Sequence, residues 1–247
     1  MSNLLQCVIL AGGLGKRMSS TKAKVLHKIK DKPMLFYVIQ NAFSLGASRI
    51  FIVVGKYKQD IISEITPLFS TEQNKSIVYV DQPETKINGQ LCSLGTGDAL
   101  RACLTYFEEY NLSPQTNILI LSGDVPFISL PHLTSFSNLT NAIMVSSVDE
   151  PAGYGRVFFD ESQHLSTIVE HAICTPQQLE CTTVNAGIYN LTVDTITQTI
   201  PRIEINPQKN EFFLTDFYKH TNTPIFCFFL PHVPQNVNTI QQLQDIS

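Results

Sequence analysis

Three short runs gather the side chains whose types suit phosphate chemistry. LAGGLGKRM, Leu10–Met18, joins Gly12, Gly13 and Gly15 to Lys16 and Arg17 directly after an apolar stretch. In such a loop backbone N–H groups can approach an anion, and glycine removes the side chain that would block it. Lys24 follows in AKVLHKIK, and LSGDVPF ends another apolar run on Asp124. A carboxylate at the C-terminal edge of a parallel sheet stands where open α/β folds bind ligands, and it can hold Mg²⁺ against phosphate oxygens. Each feature has an ordinary alternative, since glycines make turns and an aspartate before Val125-Pro126 can be one more turn residue. Spacing excludes two familiar loops. A Walker loop needs glycine five positions before Gly15, where Leu10 stands, and Ser or Thr at Arg17. A dinucleotide fingerprint starting at Gly13 and Gly15 needs its third glycine at Met18.

The elements that must position these residues follow from hydrophobic pattern. LLQCVIL (residues 4–10), RIFIVVG (49–55), SIVYV (76–80) and NILILSGD (117–124) are continuous apolar runs bounded by turn residues, as buried parallel strands are. Between them lie a helix from Pro33 to Gly46, with Met34, Leu35, Val38, Ile39, Ala42 and Leu45 on one face, a helix through 60–68, and a helix over 95–110. This alternation predicts an α/β fold with a doubly wound, mostly parallel, Rossmann-like sheet. After about residue 140 the pattern turns to AIMVSSV, GRVFF, TTVNAGIY and PIFCFFL, with short helices expected near 192–200 and 212–220. That half is expected to finish the sheet and add a smaller antiparallel layer over its C-terminal edge. We therefore expect a single domain over 1–247, one lobe spanning 1–140 and the other 141–247, without internal repeats.

Bulk composition removes other classes. The hydrophobic share of 43% and charged share of 15% suit a packed core and argue against disorder. A net charge of −4 without basic blocks gives no support to a nucleic-acid partner. The six cysteines are scattered without a CxxC pair, which reads as free, mostly buried thiols rather than disulfides or zinc ligands. No run reaches the ~18 apolar residues of a membrane span, and no cationic segment precedes the first strand as in a signal peptide. A cytoplasmic protein without a membrane partner is expected.

LAGGLGKRM followed by AKVLHKIKDKPML resembles the N-terminal signature of sugar-nucleotide pyrophosphorylases, most of all the uridyltransferase domain of the bacterial bifunctional N-acetylglucosamine-1-phosphate uridyltransferases. Gly12 stands for an alanine of that signature, Lys16 for its threonine and Ala23 for its proline, and Arg17 and Lys24 are kept. GQLCSLGTGDAL is similar to the family's Gln-x-x-x-Leu-Gly-Thr-Gly-His-Ala segment, with Asp98 in place of histidine. PAGYGRVFFD, STIVEH, TTVNAGIY, NEFFLTDF and QNVNTIQQL continue the resemblance in order along nearly the whole chain.

The resemblance implies a fold of the nucleotide-diphospho-sugar transferase type with a nucleotide-binding first lobe and a sugar-binding second lobe. It places Leu10, Ala11, Gly12, Gly13, Gln90, Gly95, Thr96 and Gly123 on the nucleotide. Gln90 reads uracil, for which an amide offers both donor and acceptors, although a loop glutamine is ordinarily solvated. Gly155, Glu170 and Asn185 fall on the hydroxyls and acetamide of an N-acetylhexosamine, and Asp124 and Asn238 on Mg²⁺. Ser122 stands where tyrosine is common. His27 and His171 are read as structural, because a phosphate monoester is already anionic and needs no general base.

The implied reaction is in-line attack of a sugar 1-phosphate on the α-phosphorus of UTP, with pyrophosphate leaving. Two anions must meet, so positioning and charge neutralisation carry the catalysis. Arg17 is expected on the leaving phosphates and Lys24 on the developing charge. The expected partners are UTP and N-acetylglucosamine 1-phosphate, in a monomer or weak dimer. No hexapeptide repeats are found, so acetyl transfer is not expected. The rivals are a pyrophosphorylase for another nucleotide–sugar pair and a non-catalytic nucleotide-sugar sensor.

Overall fold

The computed structural model describes residues 5–13, 22–83, 85–87, 90–234 and 237, with the backbone alone at 86–87 and 90–92. The strands are β1 (Gln6–Leu10), β2 (Lys28–Ile29), β3 (Lys32–Pro33), β4 (Arg49–Val54), β5 (Ile77–Asp81), β6 (Thr85–Ile87), β7 (Gln90–Cys92), β8 (Asn117–Ser122), β9 (Ala142–Ser147), β10 (Arg156–Phe159), β11 (Leu165–Val169), β12 (Thr183–Thr192) and β13 (Phe226–Leu230). The helices are α1 (Met34–Ser44), α2 (Lys58–Ile65), α3 (Thr71–Lys75), α4 (Thr96–Arg101), α5 (Leu104–Glu109), α6 (Leu130–Ser137), α7 (Pro176–Leu179) and α8 (Val193–Thr199).

One mixed sheet of nine strands dominates. Its main path runs β11-β10-β12-β8-β1-β4-β5, with β9 lying on β12 and β13 on β9. The centre is parallel, β8 and β4 flanking β1 and β5 flanking β4, as the continuous apolar runs require. Successive residues of β1 face opposite sides, so Cys7 and Ile9 pack under α1 and α6 with Leu35, Val38, Leu133 and Phe136. Val8 packs on the other face with Leu100, Phe107, Ile196 and Phe217. Both faces are therefore covered, the doubly wound arrangement expected.

The second half finishes this sheet edge-on. β12 runs antiparallel to β8 through Tyr189–Thr192 and to β10 at Val184, while β9 lies along its other side. Its register shifts between Asn185 and Tyr189. The antiparallel strands thus extend the main sheet, and the separate small sheets are the hairpins β2–β3 and β6–β7.

Local differences from the sequence pattern have physical causes. The 95–110 helix divides into α4 and α5, because Cys103 N–H bonds back only three residues, to Leu100. Residues 212–220 begin extended and continue as a 3₁₀ helix, Leu214–His220. There Phe212 N–H donates to Leu94 O (2.7 Å) and Leu214 N–H to Thr96 Oγ1 (3.1 Å), which ties the segment to the loop before α4. α6, with Pro131 in its first turn and only Leu133 and Phe136 buried, has too weak a stripe to be read from sequence.

Candidate functional site

The ends of β1, β4 and β8 are level, Leu10 standing opposite both Val53 and Ser122. Chains leaving these ends must converge. Ala11 N–H donates to Val53 O (2.9 Å) and Gly123 N–H to Leu10 O (3.0 Å), which fixes the entrance of the glycine loop. Among the described residues nothing lies within 4 Å of the place a Cβ on Gly13 would take. Gly12 is crowded instead: a Cβ there would stand 2.9 Å from Oε1 of Gln82.

On the β8 side, Lys24 Nζ donates to Asp124 Oδ2, and both side chains are largely buried. Ser122 Oγ donates to the other carboxylate oxygen at 2.6 Å. Val237 N–H reaches the Asp124 carbonyl at 3.0 Å. Tyr154 belongs to the same neighbourhood, its hydroxyl pushed up by burial and by the negative charge of Asp124. Arg17 and Asn238, expected on the phosphates and the metal, lie outside the described residues.

On the β5 side, Gln82 directly follows the strand and is 5% exposed. Its Nε2 donates to Gly95 O and to Asp98 Oδ2, each at 3.0 Å. Gly95 has φ +94°, and a Cβ on it would meet Phe212 O at 2.7 Å, so only glycine fits. Thr96 accepts the Leu214 N–H. Gln90 pairs with Ile87 in the β6–β7 hairpin, and its side chain lies outside the described residues.

Gly155, Glu170 and Asn185 form one row. Arg156 stands opposite both Val169 and Val184, which puts each of the three one step past that level on β10, β11 and β12. Asn185 N–H donates to Gly155 O at 2.9 Å, and a Cβ on Gly155 would stand 3.6 Å from Glu170 Oε2. Thr215 hydroxyl donates to Glu170 Oε1 at 2.8 Å. Burial raises the Glu170 carboxyl above its ordinary range, the Thr215 bond opposes this, and Asp216 and Glu211 add to it. Asn185 Nδ2 donates to Tyr189 Oη (2.7 Å) and its Oδ1 accepts from Gly187 N–H (3.0 Å). One donor and one lone pair of its amide remain for a ligand.

Two patches therefore share one sheet edge, with Tyr154 and the 212–215 segment running between them. Sequence reasoning missed Gln82, Tyr154, Arg156 and Thr215. Gln82 had a signal, being a polar residue at the end of an apolar run. Arg156 is 2% exposed and donates to the carbonyls of Pro151 and Tyr154. Its other end lies 3.4 Å from His171 Nδ1, which must accept because a guanidinium only donates. Burial, then the charge of Lys22, lowers the pKa of His27.

The sequence pattern of the nucleotidyl transferase family matches residues 6–222, from the first strand to beyond the 3₁₀ helix. The chain belongs to this family. A mimivirus protein from Acanthamoeba polyphaga mimivirus, named a probable UDP-N-acetylglucosamine pyrophosphorylase, is 34% identical to the transferase over its full length and 96% of that protein. The bifunctional protein GlmU of Sorangium cellulosum is 31% identical over 86% of the transferase, which spans 44% of GlmU. A solved UDP-glucose pyrophosphorylase complexed with UDP-glucose superposes with a TM-score of 0.71 over 98% of the transferase and 97% of that chain, at 17% identity. This last likeness is one of fold.

No helix among the described residues is long and apolar enough to cross a membrane, and Cys7, Cys103, Cys174, Cys181 and Cys227 are free thiols.

Proposed function

We propose that the transferase joins UTP and N-acetylglucosamine 1-phosphate to give UDP-N-acetylglucosamine and pyrophosphate, acting in the cytoplasm as a monomer or weak dimer. The observation that carries this reading is the Lys24–Asp124 pair at the strand end beside the Leu10–Gly13 loop. An anion lying over the loop can receive its N–H groups at one end and the lysine at the other. The full-length likeness to the mimivirus protein supports the choice of nucleotide and sugar.

Charge management is the chemical task. The sugar phosphate oxygen attacks the α-phosphorus while the bond to the β-phosphate opens on the opposite side, and negative charge spreads over the equatorial oxygens. Lys24 is within reach of that charge because it already meets the carboxylate marking the phosphate end. Arg17 is the cation we assign to the departing pyrophosphate. The row of Gly155, Glu170 and Asn185 would hold the sugar by the Gly155 backbone, the carboxylate and the remaining amide valences, so that the attacking oxygen is aimed rather than activated.

The donor set fits Mg²⁺. Asp124 supplies a hard carboxylate oxygen at a position already occupied by a cationic amine, and Mg²⁺ is typically held by one or two carboxylates together with substrate phosphates. Asp124 and, by the resemblance, Asn238 would hold it. When bound it supplies Lewis-acid polarisation of the phosphates.

The test is pyrophosphate release with each of the common nucleoside triphosphates against glucose-, N-acetylglucosamine- and N-acetylgalactosamine 1-phosphate. The highest kcat/KM is expected for UTP with N-acetylglucosamine 1-phosphate. No release from any pair, with UDP-sugar binding intact, would make the chain a nucleotide-sugar sensor instead.

A further inference from the structure

The carboxamide of Gln82 has only one chemically consistent orientation. Gly95 O and Asp98 Oδ2 both lie 3.0 Å from the same terminal atom, and neither an amide carbonyl nor a carboxylate donates. The NH₂ must face them, which turns the carbonyl oxygen the other way. On that side it meets the space above Gly12, where even a Cβ would come within 2.9 Å, and the Ser93 hydroxyl at 3.4 Å. Gln82 N–H is itself tied to Val54 O at 2.8 Å, so the backbone cannot swing to re-aim the side chain. The glycine loop thus lies against an acceptor whose direction is set from behind.

We propose that Asp98 is a positioning residue for base selection. By holding Gln82 with its oxygen toward the nucleotide, it makes the transferase favour a base whose ring nitrogen carries a hydrogen and reject one whose ring nitrogen is bare. The proposal rests on the nucleotidyl-transfer reading above and assigns to Gln82 the part that the resemblance gives to Gln90. Uracil presents N3–H between two carbonyls and can donate to Gln82 Oε1. Cytosine presents N3 as an acceptor, so two lone pairs face each other. A freely turning amide would answer cytosine by presenting its NH₂. Here that rotation would set the lone pairs of Oε1 against those of Gly95 O and the Asp98 carboxylate at about 3 Å, and the Asp98 oxygen would lose the donor it has now.

The test is kcat/KM for UTP and for CTP, at saturating N-acetylglucosamine 1-phosphate, in the unaltered protein and in Asp98→Asn and Gln82→Met. A site built around one hydrogen-bonding edge is expected to favour UTP by about 100-fold or more. Asp98→Asn can donate to a rotated Gln82, so the preference should fall at least about tenfold, with CTP efficiency rising in absolute terms and KM for the sugar phosphate unchanged. Damage to the fold would lower both nucleotides together and does not raise CTP. Gln82→Met, which fills the same space without a polar edge, should bring the two nucleotides close to parity.

A preference retained in either variant overturns the proposal. So does an unaltered protein that turns over UTP and CTP alike, while leaving the nucleotidyl-transfer reading intact. If the unaltered protein uses no nucleoside triphosphate, the reading itself fails and base selection falls with it.

Discussion

Lys24 and Glu170 illustrate two opposite uses of a partly buried charge. Lys24 meets a carboxylate at the strand end and has an anionic substrate to serve in our reading. Its removal should therefore act on the transition state more than on binding. Lys24→Ala is expected to lower kcat by about 100-fold or more, the scale of losing one stabilising donor, with UTP affinity by calorimetry changed far less. Near-normal turnover would refute the role. Glu170 is half-buried beside a hydroxyl donor and two acidic neighbours, and its carboxyl pKa is raised above the ordinary 4.5. A raised folded pKa means that the protonated acid is favoured in the fold. Its stabilising contribution is complete below 4.5 and is lost as pH rises through the raised value. Above pH 4.5 the Glu170 carboxyl thus works against folding. Glu170→Gln keeps an acceptor for Thr215 and should raise Tm at neutral pH, the gain vanishing as pH falls below 4.5. If Glu170 holds the sugar, the same variant raises KM for the sugar phosphate. A Tm gain that persists in acid would remove the charge explanation.

At the scale of elements, the segment entering the 3₁₀ helix docks on the loop before α4. Phe212 accepts from Gly97 N–H (2.8 Å) and donates to Leu94 O, while Thr215 continues to Glu170. One stretch of backbone therefore spaces the nucleotide patch from the sugar row. Gly95→Ala forces a non-glycine residue into φ +94° and a Cβ toward Phe212 O. It should cost at least about 2 kcal/mol of stability, seen as a lowered denaturant midpoint, and should weaken UTP and sugar phosphate binding together. Loss of stability with both KM values unchanged would show that the segment does not couple them. The central strands were legible because buried parallel strands are uninterrupted apolar runs, and α1 because its stripe is clean. For Gln82 the polar type after an apolar run was visible, but the contacts that aim it were not. Its partners Gly95 and Asp98 lie 13 and 16 positions away, and the β6–β7 hairpin intervenes. Likewise, the row of Gly155, Glu170 and Asn185 depends on strand register, which the pattern of one strand alone does not reveal.

For the whole molecule, the sheet separates what folds the chain from what would perform the reaction. The two large apolar clusters lie on the faces, built from alternate residues of β1, β4 and β8, whereas the candidate site lies past the strand ends. Hydrophobic burial on both faces does not require any group held at that edge. Chelation by EDTA should therefore abolish pyrophosphate release yet leave far-UV circular dichroism and the melting temperature of the ligand-free protein unchanged. Returning Mg²⁺ together with UTP should do what neither does alone. A ligand that binds only the folded state adds stability by mass action, about 2.7 kcal/mol at 100 times its Kd. Melting curves of four samples decide it: protein alone, with Mg²⁺, with UTP, and with both. A rise confined to the last sample means that the triphosphate completes the metal's oxygen ligands, as expected where Asp124 is the main protein donor. An equal rise with Mg²⁺ alone would instead require a preformed cation site within the protein, and the share of the work assigned to Lys24 and Asp124 would have to be redrawn.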